Sequence, residues 1–267
     1  MSAISETAFA KVNLALHVRG RLPDGRHRLE TLFAFCEDGD ELEFEPADDI
    51  SLDIQGVDPA EIGGDNLVLR AAYALRAATG TQQGAAIRLT KRLPIAAGVG
   101  GGSADAAAAL RALVRLWSVD PALVGDIAPK LGADVPACLL SMTCRGDGAG
   151  DVVSVVQEPD LAGTPILLVN PAVRLSTGDV FAHWDGNDCG PLGDWRLGRN
   201  DLQAPALQLV PQISEVLAWL HSRPGGNFVR MSGSGATCFG LFDDAASRDR
   251  AAAAVPSGWW HLATRLR

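Results

Sequence analysis

Residues 94–109 read Pro94-Ile95-Ala96-Ala97-Gly98-Val99-Gly100-Gly101-Gly102-Ser103-Ala104-Asp105-Ala106-Ala107-Ala108-Ala109. Four glycines fall within the five positions 98–102, directly ahead of an alanine run that strongly favours helix. Glycine lets backbone N–H groups turn toward one ligand. The helix that follows adds its unpaired first-turn N–H groups and the positive end of its dipole. Together they suit a phosphate. The stretch is not a Walker A loop, since no Gly-Lys-Ser/Thr closes it. Nor is it a dinucleotide fingerprint, which needs a third spaced glycine inside a strand–helix–strand unit. A plain turn with Ser103 as helix N-cap is the alternative, and such a turn needs fewer glycines.

Outward from this loop the chain is punctuated clearly. Residues 8–18 alternate as a strand, with Phe9, Lys11, Asn13, Ala15 and His17 on one face. A Pro23-Asp24-Gly25 turn leads to a strand-like run through Phe35, and residues 41–54 read as a further strand pair. The spacing predicts a helix over 66–79, capped by Asp65 or Asn66 and stopped by Gly80, and a short strand over 85–89. Leu110, Leu113, Val114 and Trp117 mark one face of the helix behind the glycine loop, and another helix is framed by Asp120-Pro121 and Gly132. Beyond a glycine-rich turn at 146–151 come a strand at 165–169, a loose loop at 187–199, one helix over 205–220 and a strand at 238–242. Strands and helices mix without strict alternation, which predicts an α+β fold in two lobes.

The 267 residues are 47% hydrophobic and 21% charged, ample for a sizeable core, which excludes a disordered or disulfide-stapled chain. A net charge of −9 excludes a general nucleic-acid binder, although a local pocket on an acidic protein can still be positive. The five cysteines form no CxxC pair and read as reduced thiols. Residues 1–18 carry no basic leader, and Lys11, Asn13 and His17 interrupt their apolar stretch, so a soluble, cytoplasmic protein is expected.

Only three cations are lysine against 20 arginines, which draws attention to Lys11 in mid-strand. It is either an edge-strand lysine reaching solvent or, with Asn13 two residues on, a compact donor pair suited to a reacting hydroxyl or a carboxylate. Asp134, between Gly132 and Pro136, is either a helix N-cap or a carboxylate base held ionised by the helix dipole. Ser232–Thr237 is a second small-residue loop, serving either as backbone surface for phosphates or as a tight connection. The histidines show no metal-ligand spacing.

Taken together, Ala10–Leu14, the glycine loop, Leu131–Pro136 and Met231–Thr237 resemble the motifs of the GHMP kinases. Pro23–Phe33, Asn170–Phe181 and Asn200–Leu202 narrow the resemblance to the branch that phosphorylates a cytidyl diphosphate ester for isoprenoid precursors. It implies two lobes around a cleft, with an ATP-binding domain over 1–152 and a second domain over 153–267 completing the substrate site. ATP and Mg²⁺ are implied, with Pro94–Ala104 around the phosphates, Asp134 as general base and Lys11 orienting the hydroxyl. Asn13, Arg26, His27, Thr177 and Phe181 would line the substrate pocket. Arg26 stands where the family often has Tyr, so a guanidinium would replace one of two flat partners for cytosine. The expected partner is a small molecule, with neither nucleic acid nor membrane, and the expected state is a monomer or weak homodimer. Another small-molecule GHMP kinase, or a nucleotide-binding regulator without catalysis, is the rival reading.

Overall fold

The computed structural model describes residues 3–57 and 65–267. It is α+β, with two sheets and eight α-helices among the described residues. Two compact units interleave along the chain. One holds the N-terminal residues up to Ala10, with Asp38–Ile95 and Gly100–Ser141; the other holds Lys11–Glu37, Ala96–Val99 and Met142–Arg267. The interleaving follows from two long strands, β1 (Ile4–Arg21) and β2 (His27–Ala47), each of which belongs to both units.

In the first unit the later half of β2 pairs antiparallel with β4 (Gly84–Thr90), and β4 pairs parallel with β3 (Ile50–Gln55). Where β2 runs beside β1 the backbones nearly touch, since a Cβ on Gly39 would lie 1.9 Å from the Ala8 carbonyl oxygen. Only glycine fits there. Helix α1 (Leu67–Thr79) is capped by Asn66, whose side chain accepts from the Val68 N–H at 2.8 Å, and ended by Gly80 at φ +69°. It packs on α2 (Gly101–Leu116), whose residues Ala104–Leu110 are buried on every side. The expected single apolar face is thus an all-round one, because alanines let neighbouring elements approach from several directions. A 3₁₀ turn at Pro121–Leu123 opens α3 (Val124–Leu131), with Asp120 capping it, and α4 (Val135–Leu140) follows.

In the second unit the early half of β2 pairs with β5 (Cys144–Asp147), which pairs with β6 (Val152–Val155). Gly146 therefore lies in a strand rather than in the expected turn. An antiparallel sheet ordered β10-β7-β9-β8 comprises β7 (Pro165–Asn170), β8 (Gly226–Met231), β9 (Cys238–Phe242) and β10 (Trp260–Arg265). Helices α5 (Thr177–Ala182), α6 (Gln203–Leu209), α7 (Gln212–His221) and α8 (Ala245–Ala253) complete the unit. Its core includes Leu167, Val169, Ile213, Val216, Leu220 and Phe242. The single helix expected over 205–220 is two helices. Val210 precedes Pro211 and takes an extended φ of −134°, because a proline ring disfavours helical backbone one residue before it.

Candidate active site

On β1, alternation does not give a wet and a dry face, since residues 10–18 are all buried. Lys11 is 3% exposed and Asn13 2%, so the polar face of this strand is interior and the reading of Lys11 as a solvent-reaching edge lysine does not hold. The Lys11 ammonium donates to Asn13 Oδ1 at 2.9 Å and stands 5.0 Å from the centre of the Phe33 ring. Asn13 Nδ2 donates to Thr31 Oγ1 at 2.8 Å, and the Thr31 hydroxyl donates to the Ala15 carbonyl at 2.6 Å. This chain of donors settles the amide's orientation. It also leaves Lys11 with a fixed ammonium in a low-dielectric setting, where its field is strong. Nearby, burial pushes the Cys144 thiol up to about 11, with Lys11 acting in the opposite sense.

The glycine loop is tied to the same strand. The carbonyls of Ala97, Gly98 and Val99 accept from the Thr237 N–H (3.2 Å), the Ser232 hydroxyl (2.8 Å) and the Lys11 N–H (2.9 Å), respectively. The Asn13 N–H donates in turn to Ser232 Oγ at 3.1 Å. Ala96, Gly98 and Gly100 have φ of +52°, +76° and +68°, so left-handed residues alternate along the loop. Three of its carbonyls are engaged elsewhere and its left-handed residues fall at alternate positions, so the loop is tightly wound and tied down on its carbonyl side. A Cβ on Gly98 would sit 2.4 Å from the Ser232 carbonyl oxygen. The glycine is required by close approach as well as by φ. The side chains of Ala97 and Val99 are buried; the loop offers backbone rather than side chains.

Asn200 holds the 231–233 segment from behind, donating from Nδ2 to the carbonyls of Met231 and Gly233, each at 2.8 Å. Thr177, first residue of α5, shares a 2.9 Å hydrogen bond with Ser234. His27 stacks on Phe181 with ring centres 4.6 Å apart and meets Trp184 edge-on at 5.6 Å. Its buried Nε2 has no hydrogen-bond partner, and burial, aided by Arg21, lowers its pKa, so the ring is held neutral. Arg26 is half exposed and forked between Asp24 and Asp151, each at 2.8 Å. Hydrogen bonds from the Arg26 N–H and guanidinium hold Asp24 below the usual carboxylate range.

In the other unit, α2 begins at Gly101 with Gly100 as its N-cap, so Ser103 lies inside the first turn and is not the cap. Pro94 and Ile95 lead into the loop, and Ala104 is buried behind it. Asp134 occupies the N-cap position of α4, yet its side chain makes no capping hydrogen bond. That helix is braced at its far end by Arg111, which donates to the carbonyls of Cys138 (2.9 Å) and Thr7 (3.0 Å). Among the described residues no group of three or more His, Cys, Asp or Glu could hold a metal ion. Thr31, Trp184 and the anchoring role of Asn200 were not legible as site features in the sequence. Only the Asn200–Leu202 motif hinted at the last of them.

Comparison with known proteins matches residues 66–142 to the GHMP kinases N terminal domain and residues 188–260 to the GHMP kinases C terminal model. A 4-diphosphocytidyl-2-C-methyl-D-erythritol kinase from Rhizorhabdus wittichii is 51% identical, over 98% of this chain and 94% of its own. One from Sphingopyxis alaskensis is 50% identical over the full length of both. A crystal structure of 4-(cytidine 5'-diphospho)-2C-methyl-D-erythritol kinase superposes with a TM-score of 0.86 at 35% identity, covering 98% of this chain and 99% of that one. Homoserine kinase from Cytophaga hutchinsonii, at TM-score 0.69 and 14% identity, shares the fold. The chain belongs to the 4-diphosphocytidyl-2-C-methyl-D-erythritol kinases of the GHMP kinase family.

Proposed function

We propose that this chain transfers the γ-phosphoryl group of ATP to the 2-hydroxyl of 4-diphosphocytidyl-2-C-methyl-D-erythritol, the kinase step of non-mevalonate isoprenoid precursor synthesis. One observation carries the reading beyond the family. The buried Lys11–Asn13–Thr31 chain and the carbonyl side of the glycine loop form one hydrogen-bonded piece, so a phosphate-binding backbone and a fixed ammonium are held together. Phosphoryl transfer passes through a loose transition state, for which positioning and charge stabilisation matter more than covalent help.

In this reading Pro94–Ala104 cradles the ATP phosphates with backbone N–H groups, and Lys11 offsets charge on the transferring group. Asp134 accepts the proton of the attacking hydroxyl. Mg²⁺ would be carried by the phosphates and water, the usual habit of this ion, and would supply charge neutralisation there. The substrate's cytosine would lie against Phe181, with His27 stacked beside that ring, and Asn13 and Thr177 would bind the remainder. The reading keeps an N-terminal family domain over 1–152 and a C-terminal one over 153–267; the matched stretches, 66–142 and 188–260, fall on either side of that division. No described helix is long and apolar enough to cross a membrane. A cytoplasmic monomer or weak homodimer is in keeping with the reading.

A panel of alcohols tests the assignment. With ATP and Mg²⁺ the protein is expected to phosphorylate the cytidyl diphosphate alcohol and to leave mevalonate and homoserine untouched. Turnover of either of those, with none of the cytidyl compound, would sink it.

Arg26 supplies a narrower test. Held flat by Asp24 and Asp151, its guanidinium can serve as a stacking plane where the family often has an aromatic ring. A stack on a base is worth about 1–3 kcal/mol and a partly exposed guanidinium somewhat less, so Arg26→Ala is expected to raise the KM of the cytidyl substrate about 5- to 20-fold. The KM of ATP should stay put, and Arg26→Tyr should restore most of the loss. An unchanged KM in Arg26→Ala would place the residue outside the pocket.

A further inference from the structure

One buried charge cluster lies outside the residues given roles above. Lys91, the residue after β4, donates from Nζ to Asp40 Oδ2 and, at 2.7 Å, to Asp105 Oδ2. The Asp40 side chain is wholly buried, and those of Asp105 and Lys91 nearly so. Asp40 Oδ1 accepts from the backbone N–H groups of Arg92 (2.5 Å) and Leu93 (2.8 Å). A Cβ built on Gly101 would stand 3.5 Å from Lys91 Nζ and 3.7 Å from Asp40 Oδ2, so the cluster sits directly behind the first residue of α2.

The connections run to both stems of the glycine loop. Asp40 grips the entering backbone at 92–93; Lys91 passes from Asp40 to Asp105, which belongs to the first turns of the leaving helix. Burying three ionisable groups is costly, and well-packed apolar side chains of similar volume would often stabilise as much or more. Stability alone therefore does not account for charges at this place. Geometry does.

We infer that Asp40, Lys91 and Asp105 are positioning residues that clamp the two stems of the glycine loop at a fixed separation and so preorganise it for ATP. This rests on reading Pro94–Ala104 as the phosphate-binding loop. Two features agree with it. Asp105 Oδ1 is buried without a hydrogen-bond partner, as suits a carboxyl kept for one directed contact. Burial, outweighing the pull of Lys91, also pushes Asp105 up to about 7, the electrostatic cost of holding this carboxyl beside the loop stem.

Calorimetric titration of the full chain with ADP, beside kinetics with both substrates, tests the clamp. Lys91→Met alone leaves two buried carboxylates uncompensated and is expected to unfold readily. Lys91→Met combined with Asp105→Asn brings the cluster down to one carboxylate, Asp40, which keeps its two backbone donors at Arg92 and Leu93, and is expected to fold. A loop that has lost its preorganisation should bind ADP about tenfold more weakly, while the KM of the cytidyl alcohol shifts by no more than about twofold. ADP binding in the folded double variant within about twofold of wild type would overturn the clamp. If the double variant does not fold, Asp105→Asn alone carries the readout, with ADP binding weakened about threefold expected and unchanged binding overturning the proposal. Failure of the wild-type chain to bind ADP, or ADP binding undisturbed by Gly98→Ala in a folded protein, would instead overturn the loop reading and the clamp with it.

Discussion

Asp134→Asn is expected to lower kcat by about 10²–10⁴-fold, the usual contribution of a general base, with the melting temperature almost unchanged. The structure bears on the capping role. At the N-cap position of α4 its side chain caps nothing, and the helix start is made by backbone bonds instead, Val135 N–H to Gly132 oxygen at 3.1 Å and Cys138 N–H to Asp134 oxygen at 3.0 Å. Pro136 needs no donor partner in the first turn, and Arg111 braces the last. Asparagine keeps the size and the backbone bonds and removes the proton acceptor. Measured at saturating ATP and cytidyl substrate, with scanning calorimetry alongside, activity within about threefold of wild type would make Asp134 no more than the first residue of a helix.

Lys11→Met should have the second largest effect, a fall in kcat of about 10²–10³-fold, as for loss of one preorganised group facing transition-state charge. The backbone bond from Lys11 to Val99 survives any substitution, so the loop stays tied to β1. What disappears is the ammonium and its hydrogen bond to Asn13 Oδ1. A buried acceptor left unsatisfied costs about 1–3 kcal/mol, so a drop of several degrees in melting temperature is expected too. Lys11→Arg separates charge from shape. A planar guanidinium keeps the charge but cannot take the place of a compact ammonium beside Phe33, and little activity should return. Retention of more than about a tenth of kcat in Lys11→Met would remove the residue from the catalytic set.

These expectations draw on different depths of information. The glycine loop and the helix after it are readable locally, because positive φ at Gly98 and Gly100 and an alanine run are properties of neighbouring residues. The same holds for the Asn66 cap and the Gly80 stop of α1, where side chain and backbone meet within a turn. Local reading failed where distant pairing decided. β1 and β2 run far past their alternating segments because strand neighbours complete their hydrogen bonds, and that pairing also interleaves the two compact units.

By itself the sequence determined the family and the glycine loop ahead of its helix, and singled out Lys11, Asn13 and Asp134 as the residues to question. Tertiary structure alone decided that Lys11 is interior, that its amide partner is oriented through Thr31, and that Ser232 is locked to Asn13 across 219 residues of chain. It alone brought Asp40 and Asp105, 65 positions apart in sequence, onto one ammonium, Asp40 against Lys91 and Lys91 against Asp105. The physical reason is common to all of these. Helix starts and glycine turns are set by the dihedral preferences of adjacent residues, whereas the burial and partner of a polar side chain depend on which distant backbone folds over it, and no short window of sequence contains that partner.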